Sequence, residues 1–288
     1  MSGAGWLSGR ARLAGVMGWP IGHSLSPCLH GYWLRHYGLD GAYVPLPVAP
    51  ERLEEALRAL PALGFRGVNL TIPHKEKALA VVDRTSHAAR SIGAVNTIVV
   101  EEGGELFGDN SDGFGFLANL EGGCAGWRAK TGPAVLLGAG GAARAVAVAL
   151  LDAGAPELRL VNRTRSRAEA LAGELSAPVQ VLGWQERDLA LDGAALLVNT
   201  TSLGMTHQPP LEIALDALPQ SALVTDIVYA PLETSLLAAA RARGHPVVDG
   251  LGMLLHQGRP GFRAWFGVDP EVTHGLRRVM LGAGDREE

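Results

Sequence analysis

Cysteine is almost absent from this 288-residue chain: Cys28 and Cys124 are the only two, far apart and without CxxC spacing. That excludes a disulfide scaffold and a thiolate metal knuckle, and it suits a reducing compartment, so a cytoplasmic location is expected. Metal-type histidine pairs are missing too. The nine histidines contain no HxH or HxxxH pair, and no metal is expected. No apolar run approaches the roughly 20 residues of a membrane span. The first dozen residues are Gly- and Ser-rich with Arg10 and Arg12, and the apolar stretch after them is broken by Gly15, Gly18 and Pro20. That pattern reads as a ragged terminus, not a signal peptide. An excess of basic charge is also lacking: 25 Lys and Arg face 29 Asp and Glu, a net charge of -4. Such a balance argues against nucleic acid as the main partner.

What is present is apolar and punctuated. Hydrophobic residues make up 47% and charged residues 19%, enough for a large core, while 38 glycines and 17 prolines are spread along the chain as turn markers. The length exceeds the usual single domain, so two domains are expected. Strand and helix patterns alternate throughout, which implies α/β layers. Strands are expected at 13–17, 42–46, 67–72, 94–100, 134–137, 158–161, 179–181, 195–198, 223–227 and 246–248. Helices are expected from 24–27 to Gly38, from Pro50 to Leu60, and over 75–82, 112–120, 141–151, 166–175, 235–243, 250–266 and 271–281. The Gly-rich stretch 121–126 marks a boundary. The expected division is residues 1–121, with 250–288 packing back on them, and residues 122–249.

The second half is organised around Ala134-Val-Leu-Leu-Gly-Ala-Gly-Gly-Ala-Ala143. Four apolar residues lead into Gly138, Gly140 and Ala143, followed by a helix-forming run. This GxGxxA pattern is a strand, a tight turn and a helix whose first N–H groups can hold a pyrophosphate. An NAD-binding unit usually carries Asp or Glu at the end of its next strand. Here Asn162-Arg-Thr-Arg-Ser-Arg167 stands in that place. No carboxylate repels a 2′-phosphate, and Arg163, Arg165 and Arg167 can pair with one, so NADP is expected rather than NAD.

The first half carries short polar clusters at strand ends: Ser24 and Ser26; Asn69 and Thr71; His74-Lys75; Asn96-Thr97; and Asn110-Ser-Asp112. Each alone suits a helix cap or a turn. Together, on the carboxyl ends of strands in one α/β layer, they occupy the place where such sheets bind ligands. Hydroxyls and amides suit a polyol; a lysine and a carboxylate suit proton transfer.

Nine stretches in order resemble the shikimate dehydrogenase family. They are Gly18-Trp-Pro-Ile-Gly-His-Ser-Leu-Ser-Pro27, Asn69-Leu-Thr-Ile-Pro-His-Lys75, Gly93-Ala-Val-Asn-Thr97, Gly108-Asp-Asn-Ser-Asp-Gly113, Gly138-Ala-Gly-Gly-Ala142, Asn162-Arg-Thr164, Asn199-Thr-Thr-Ser-Leu-Gly-Met205, Asp226-Ile-Val-Tyr-Ala-Pro231, and Asp249-Gly-Leu-Gly-Met253 with Gln257. The resemblance implies an N-terminal α/β substrate domain and a Rossmann-type NADP-binding domain, with a cleft between them. It implies reduction of 3-dehydroshikimate to shikimate with NADPH, and allows a homodimer. By matching position, Ser24, Ser26, Thr71, Asn96, Asp112 and Gln257 would bind the substrate, and Asn69 and Tyr229 would line its pocket. Lys75 would be the acid/base, oriented by Asp112. Gly138, Ala139, Gly140, Gly141, Ala142, Asn162, Arg163, Thr164, Arg165, Arg167, Thr200, Met205, Val228, Gly250 and Met253 would hold NADP. An NAD-using quinate/shikimate dehydrogenase is the alternative. The chain departs from the family pattern at Gly31, Ser111 and His87; none of these touches Lys75 or Asp112.

Overall fold

The computed structural model describes residues 7–284 except 176 and 178. The chain divides into two compact units, residues 1–111 with 257–288, and residues 112–256. The division differs from the expected one at the helix 112–123 and at residues 250–256, both of which fall in the second unit. Phe116 and Leu120 of that helix are buried in the core of the second unit, which assigns it there.

The first unit opens with β1 (Arg12–Gly18), α1 (Ser26–His36), β2 (Gly41–Pro47), α2 (Leu53–Ala59) and β3 (Phe65–Leu70). It continues through β4 (Arg84–Thr85), α3 (His87–Ile92), β5 (Thr97–Val100) and β6 (Leu106–Asp109). The sheet order is β2-β1-β3-β5-β6-β4; β5 runs antiparallel to β3 and β6, and the other pairings are parallel. Alternation along β3 sends Val68 and Leu70 to one face and Asn69 to the other. Val68 and Leu70 meet Leu53 and Leu57 of α2 in a buried cluster.

The second unit comprises α4 (Asp112–Gly123), β7 (Ala134–Leu137), α5 (Gly141–Asp152), β8 (Leu158–Asn162), α6 (Arg165–Glu174) and β9 (Val179–Gly183). There follow β10 (Leu196–Asn199), β11 (Leu223–Asp226), α7 (Ser235–Ala242) and β12 (Val247–Val248). All its strand pairings are parallel, in the order β12-β11-β10-β7-β8-β9. Every residue of β7, β10 and β11 is buried. That is why β7 and the first three residues of β10 read as continuous apolar runs: both faces of a parallel sheet are covered. Helix α8 (Leu251–Phe266) and helix α9 (His274–Gly284) complete the chain. From Gln257 onward they belong to the first unit, where Phe262 and Trp265 of α8 pack with Trp33 of α1 and Tyr43 of β2.

His30 lies inside this aromatic cluster. Its ring stacks on Tyr43 at 3.9 Å and 1°, with Trp33, Phe262 and Trp265 around it. Burial pushes its pKa down from 6.5 to about 3. The fold therefore accepts the neutral ring, whereas the unfolded chain takes up a proton below pH 6.5. The stability from the neutral ring is present above that pH and is lost as pH falls toward 3, at up to about 1.4 kcal/mol per pH unit. His30→Gln flattens this part of the stability curve. Chemical denaturation at several pH values between about 6 and 4 measures the slope; an unchanged slope contradicts the assignment.

The structure corrects four local expectations. β3 ends at Leu70, not Ile72, because Thr71 turns its N–H back to Met17 O and His74 closes a turn on Thr71 O. Thr71 thus shares no strand face with Asn69. The helix expected over 75–82 is a single tight turn, Lys77–Ala80, since the Lys75 carbonyl is taken by Val95 N–H at 2.8 Å. β5 begins at Thr97, one residue beyond Asn96, whose side chain folds onto Ser111. β4 and α3 escaped the sequence reading; Ser86 caps α3 through Ala89 N–H, and Gly93 closes it with φ +72°.

Candidate active site

In the first unit, Ser24 and Ser26 stand where α1 begins. The N-cap is Leu25, and its side chain makes no cap hydrogen bond. Ser24 Oγ accepts from Ser26 N–H, the first N–H of the helix, at 3.3 Å. Thr71 and Lys75 lie half-buried in the turn that follows β3. Asn69 accepts from Tyr43 Oη at 2.7 Å and donates to Asn96 O and Thr97 Oγ1, both at 3.1 Å. Asn96 is buried, and its Oδ1 accepts from Thr97 Oγ1 at 2.8 Å, Ser111 N–H at 2.9 Å and Ser111 Oγ at 3.2 Å. Asn110 Nδ2 donates to Ala94 O at 3.0 Å. These bonds fix the 94–97 and 109–111 segments together. Gln257 is half-buried in α8.

Asp112 opens the second unit as the first residue of α4 and is buried. Carboxylate at a helix start is favoured by the orphan N–H groups there. Tyr229 lies half-buried in the loop after β11.

At the glycine turn, Gly138 has φ +115°, and a Cβ there would lie 2.6 Å from Thr200 Oγ1. The chain itself requires that glycine. Gly140 and Gly141 differ, because a Cβ on either would meet nothing within 4 Å. No packing inside the protein demands glycine at these two positions. A bare backbone there suits close approach from outside, and α5 starts on Gly140 without a capping side chain. A pyrophosphate fits both features. Thr200 binds Leu137 O through its N–H at 2.9 Å and its Oγ1 at 2.7 Å, tying the exit of β10 to that of β7. Glycine at 250 is imposed by the fold, since a Cβ would approach Ile227 O to 2.5 Å. Ala139 and Ala142 are half-buried, Val228 and Met253 buried, and Met205 exposed.

The loop after β8 is held by Asn162 Nδ2 donating to Thr164 O at 2.8 Å. Arg163, Thr164, Arg165 and Arg167 are exposed around the start of α6. Arg165 is engaged with Glu169 at 2.9 Å. Among the described residues, the Arg163 and Arg167 side chains form no hydrogen bond or ion pair. Two cations beside the unfavourable end of a helix dipole suit a bound anion.

Sequence reasoning missed a buried network behind these loops. Asp226, fully buried, accepts from Asn199 Nδ2 at 2.9 Å, Val228 N–H at 3.0 Å and Thr234 Oγ1 at 2.8 Å. Burial raises its pKa, and the Val228, Asn199 and Thr234 bonds oppose that rise. Asn199 Oδ1 in turn accepts from Thr201 N–H and Oγ1. The 199–203 and 226–234 loops are thereby fixed to each other. The signal was available: both residues open quoted motifs, yet both lie at buried strand ends.

A parallel six-stranded sheet in the doubly wound order, with a glycine turn at the point where the order reverses, defines a Rossmann-type dinucleotide-binding domain. With the mixed α/β unit, it gives the build of a two-domain oxidoreductase. Family models match along the chain: the shikimate dehydrogenase substrate binding domain over residues 16–98, shikimate / quinate 5-dehydrogenase over 125–227, and the shikimate 5′-dehydrogenase C-terminal domain over 250–280. The chain belongs to the shikimate dehydrogenase family. A Rhodospirillum rubrum shikimate dehydrogenase (NADP(+)) is 65% identical over 280 residues, covering 96% of this chain and 99% of that one. The structure of Thermus thermophilus shikimate 5-dehydrogenase in complex with NADP(H) and shikimate matches at TM-score 0.82 and 40% identity, covering 96% and 100%. Quinate dehydrogenase from Corynebacterium glutamicum in complex with NAD matches at TM-score 0.86 and 32% identity, covering 94% and 99%. Among the described residues, no helix is long and apolar enough to cross a membrane.

Proposed function

We propose that this protein is an NADP-dependent shikimate dehydrogenase that reversibly reduces 3-dehydroshikimate to shikimate in the cytoplasm. The observation that carries this reading is its 65% identity, nearly end to end, with a shikimate dehydrogenase (NADP(+)). The matched motifs and the bare backbone at Gly140 and Gly141 support it. The substrate belongs chiefly to the first unit and the cofactor to the second.

The bound cofactor supplies or accepts the hydride. Everything else falls to the chain. As reduction proceeds, negative charge grows on the carbonyl oxygen, and Lys75 hands a proton to it; in oxidation Lys75 takes that proton back. Asp112 orients Lys75 and accepts from the same hydroxyl. Ser24, Ser26, Thr71, Asn96 and Gln257 hold the remaining hydroxyls and the carboxylate, with Asn69 and Tyr229 lining the pocket. Ala139, Gly140, Gly141 and Ala142 would offer backbone N–H groups to the pyrophosphate, and Gly138, whose N–H is held by Val161 O at 2.8 Å, would make the turn beneath it. Asn162, Arg163, Thr164, Arg165 and Arg167 would hold the 2′-phosphate, and Thr200, Met205, Val228, Gly250 and Met253 would hold the rest of the cofactor.

The test mixes the protein with NADPH and 3-dehydroshikimate. Loss of the reduced-nicotinamide absorbance, matched mole for mole by shikimate, is the expected result. No loss of absorbance contradicts the proposal. A separate prediction concerns Thr71, whose binding role is the same in ground and transition states. Thr71→Ala raises KM for shikimate and leaves kcat within about threefold, the mark of uniform binding; initial-rate kinetics measures the split.

A further inference from the structure

We infer that Tyr43, which belongs to none of the recognised motifs, sets the donor and acceptor polarity of the shikimate site through a one-way chain of hydrogen bonds. The inference rests on the functional reading above. Tyr43 is buried on β2, and its register with Ala14 puts it on the same sheet face as Val16 and, across β1, Asn69. Its ring is fixed by the parallel stack on His30.

The proton assignments follow from which groups can only accept. Asn69 Oδ1 is a carbonyl oxygen, so Tyr43 O–H must donate across the 2.7 Å contact. Asn96 O is likewise only an acceptor, which fixes the Asn69 amide with Nδ2 toward Asn96 O and Thr97 Oγ1. Thr97 O–H passes on to Asn96 Oδ1, where two donors from Ser111 also end. The sequence Tyr43, Asn69, Thr97, Asn96 therefore runs in one direction.

That direction has a chemical consequence. Both N–H bonds of Asn69 are spent inside the protein, so it meets a ligand only through Oδ1, as the acceptor of a hydroxyl proton. Asn96 is the reverse: three donors occupy its Oδ1, which closes that oxygen to a ligand hydroxyl. Tyr43 holds the first of these amides in place. Without its hydroxyl, nothing on the Oδ1 side prevents Asn69 from turning its donors to the ligand. Tyr43 is thus a positioning residue, acting through Asn69.

The experiment is a double-mutant cycle read by calorimetric binding of shikimate, with NADP+ binding, thermal midpoint and wild-type turnover measured alongside. Tyr43→Phe keeps the ring stacked on His30 and removes one hydrogen bond, so shikimate Kd rises about 10-fold. NADP+ Kd stays unchanged, the thermal midpoint falls by no more than the loss of one buried hydrogen bond accounts for, and adding Tyr43→Phe to Asn69→Ala weakens shikimate no further. An unchanged shikimate Kd in Tyr43→Phe overturns the inference. So does a cycle in which the two effects multiply, or an equal loss of shikimate and NADP+ with a lowered midpoint, which marks a merely structural tyrosine. A wild-type protein that binds shikimate without turning it over overturns the functional reading and leaves the chain of bonds standing. Turnover with a multiplicative cycle overturns the chain alone.

Discussion

Lys75→Ala lowers kcat for shikimate oxidation by about 10²–10⁴-fold, the range set by loss of a positioned general acid or base. KM for shikimate changes far less, because the hydroxyl and amide groups that hold the ring remain. The physical case begins with position. Lys75 sits in the turn after β3, at the carboxyl end of the sheet where open α/β folds place their ligands. Its backbone is pinned by Val95 N–H at 2.8 Å. Ammonium is the group needed where an alkoxide develops, since it offers both charge and a transferable proton. Lys75→Ala removes both. Lys75→Arg keeps the charge but gives up a transferable proton, so it restores binding without restoring kcat. Steady-state kinetics of the two variants checks this. Near-normal kcat in Lys75→Ala removes Lys75 from the chemistry.

The second large effect concerns cofactor choice. Replacing Arg163 and Arg167 together by alanine raises KM for NADP+ by roughly 10–100-fold, since charge-assisted hydrogen bonds contribute about 1.5–3 kcal/mol each and solvent exposure discounts that figure. KM for NAD+ moves little, because NAD+ has no 2′-phosphate for the guanidinium groups to hold. The preference between cofactors therefore collapses without loss of kcat. Arg165→Ala has a smaller effect on the same ratio, because Arg165 is already occupied by Glu169. Kinetics with both cofactors separates these cases. A parallel rise in KM for NADP+ and NAD+ shows that the arginines shape the loop instead of reading the phosphate.

Much of this was legible in the sequence because it depends on local chemistry. The strand–turn–helix around Gly138 is written in four apolar residues, two glycines and an alanine-rich helix, and each has a local reason. The doubly buried strands β7 and β10 are equally plain as apolar runs. Legibility failed where a tertiary bond overrides a local pattern. Lys75 to Val82 has helical spacing, yet the Lys75 carbonyl is captured by Val95 and only a single turn forms. The Gly-rich stretch 121–126 is no boundary in the compact division, since Phe116 and Leu120 bury the preceding helix in the second unit. Asp226 and Tyr43 were overlooked as organising residues for a similar reason. Asp226 draws its donors from positions 199, 228 and 234, and Tyr43 reaches position 69 across an intervening strand. No spacing rule encodes such partners.

The account's central claim is that one chain pairs shikimate with NADP+. The most direct measurement compares kcat/KM for shikimate and quinate with each of NADP+ and NAD+, under one set of conditions. Shikimate with NADP+ exceeding each of the other three pairings is the result predicted here. A higher value for quinate with NAD+, or turnover with none of the four, contradicts it.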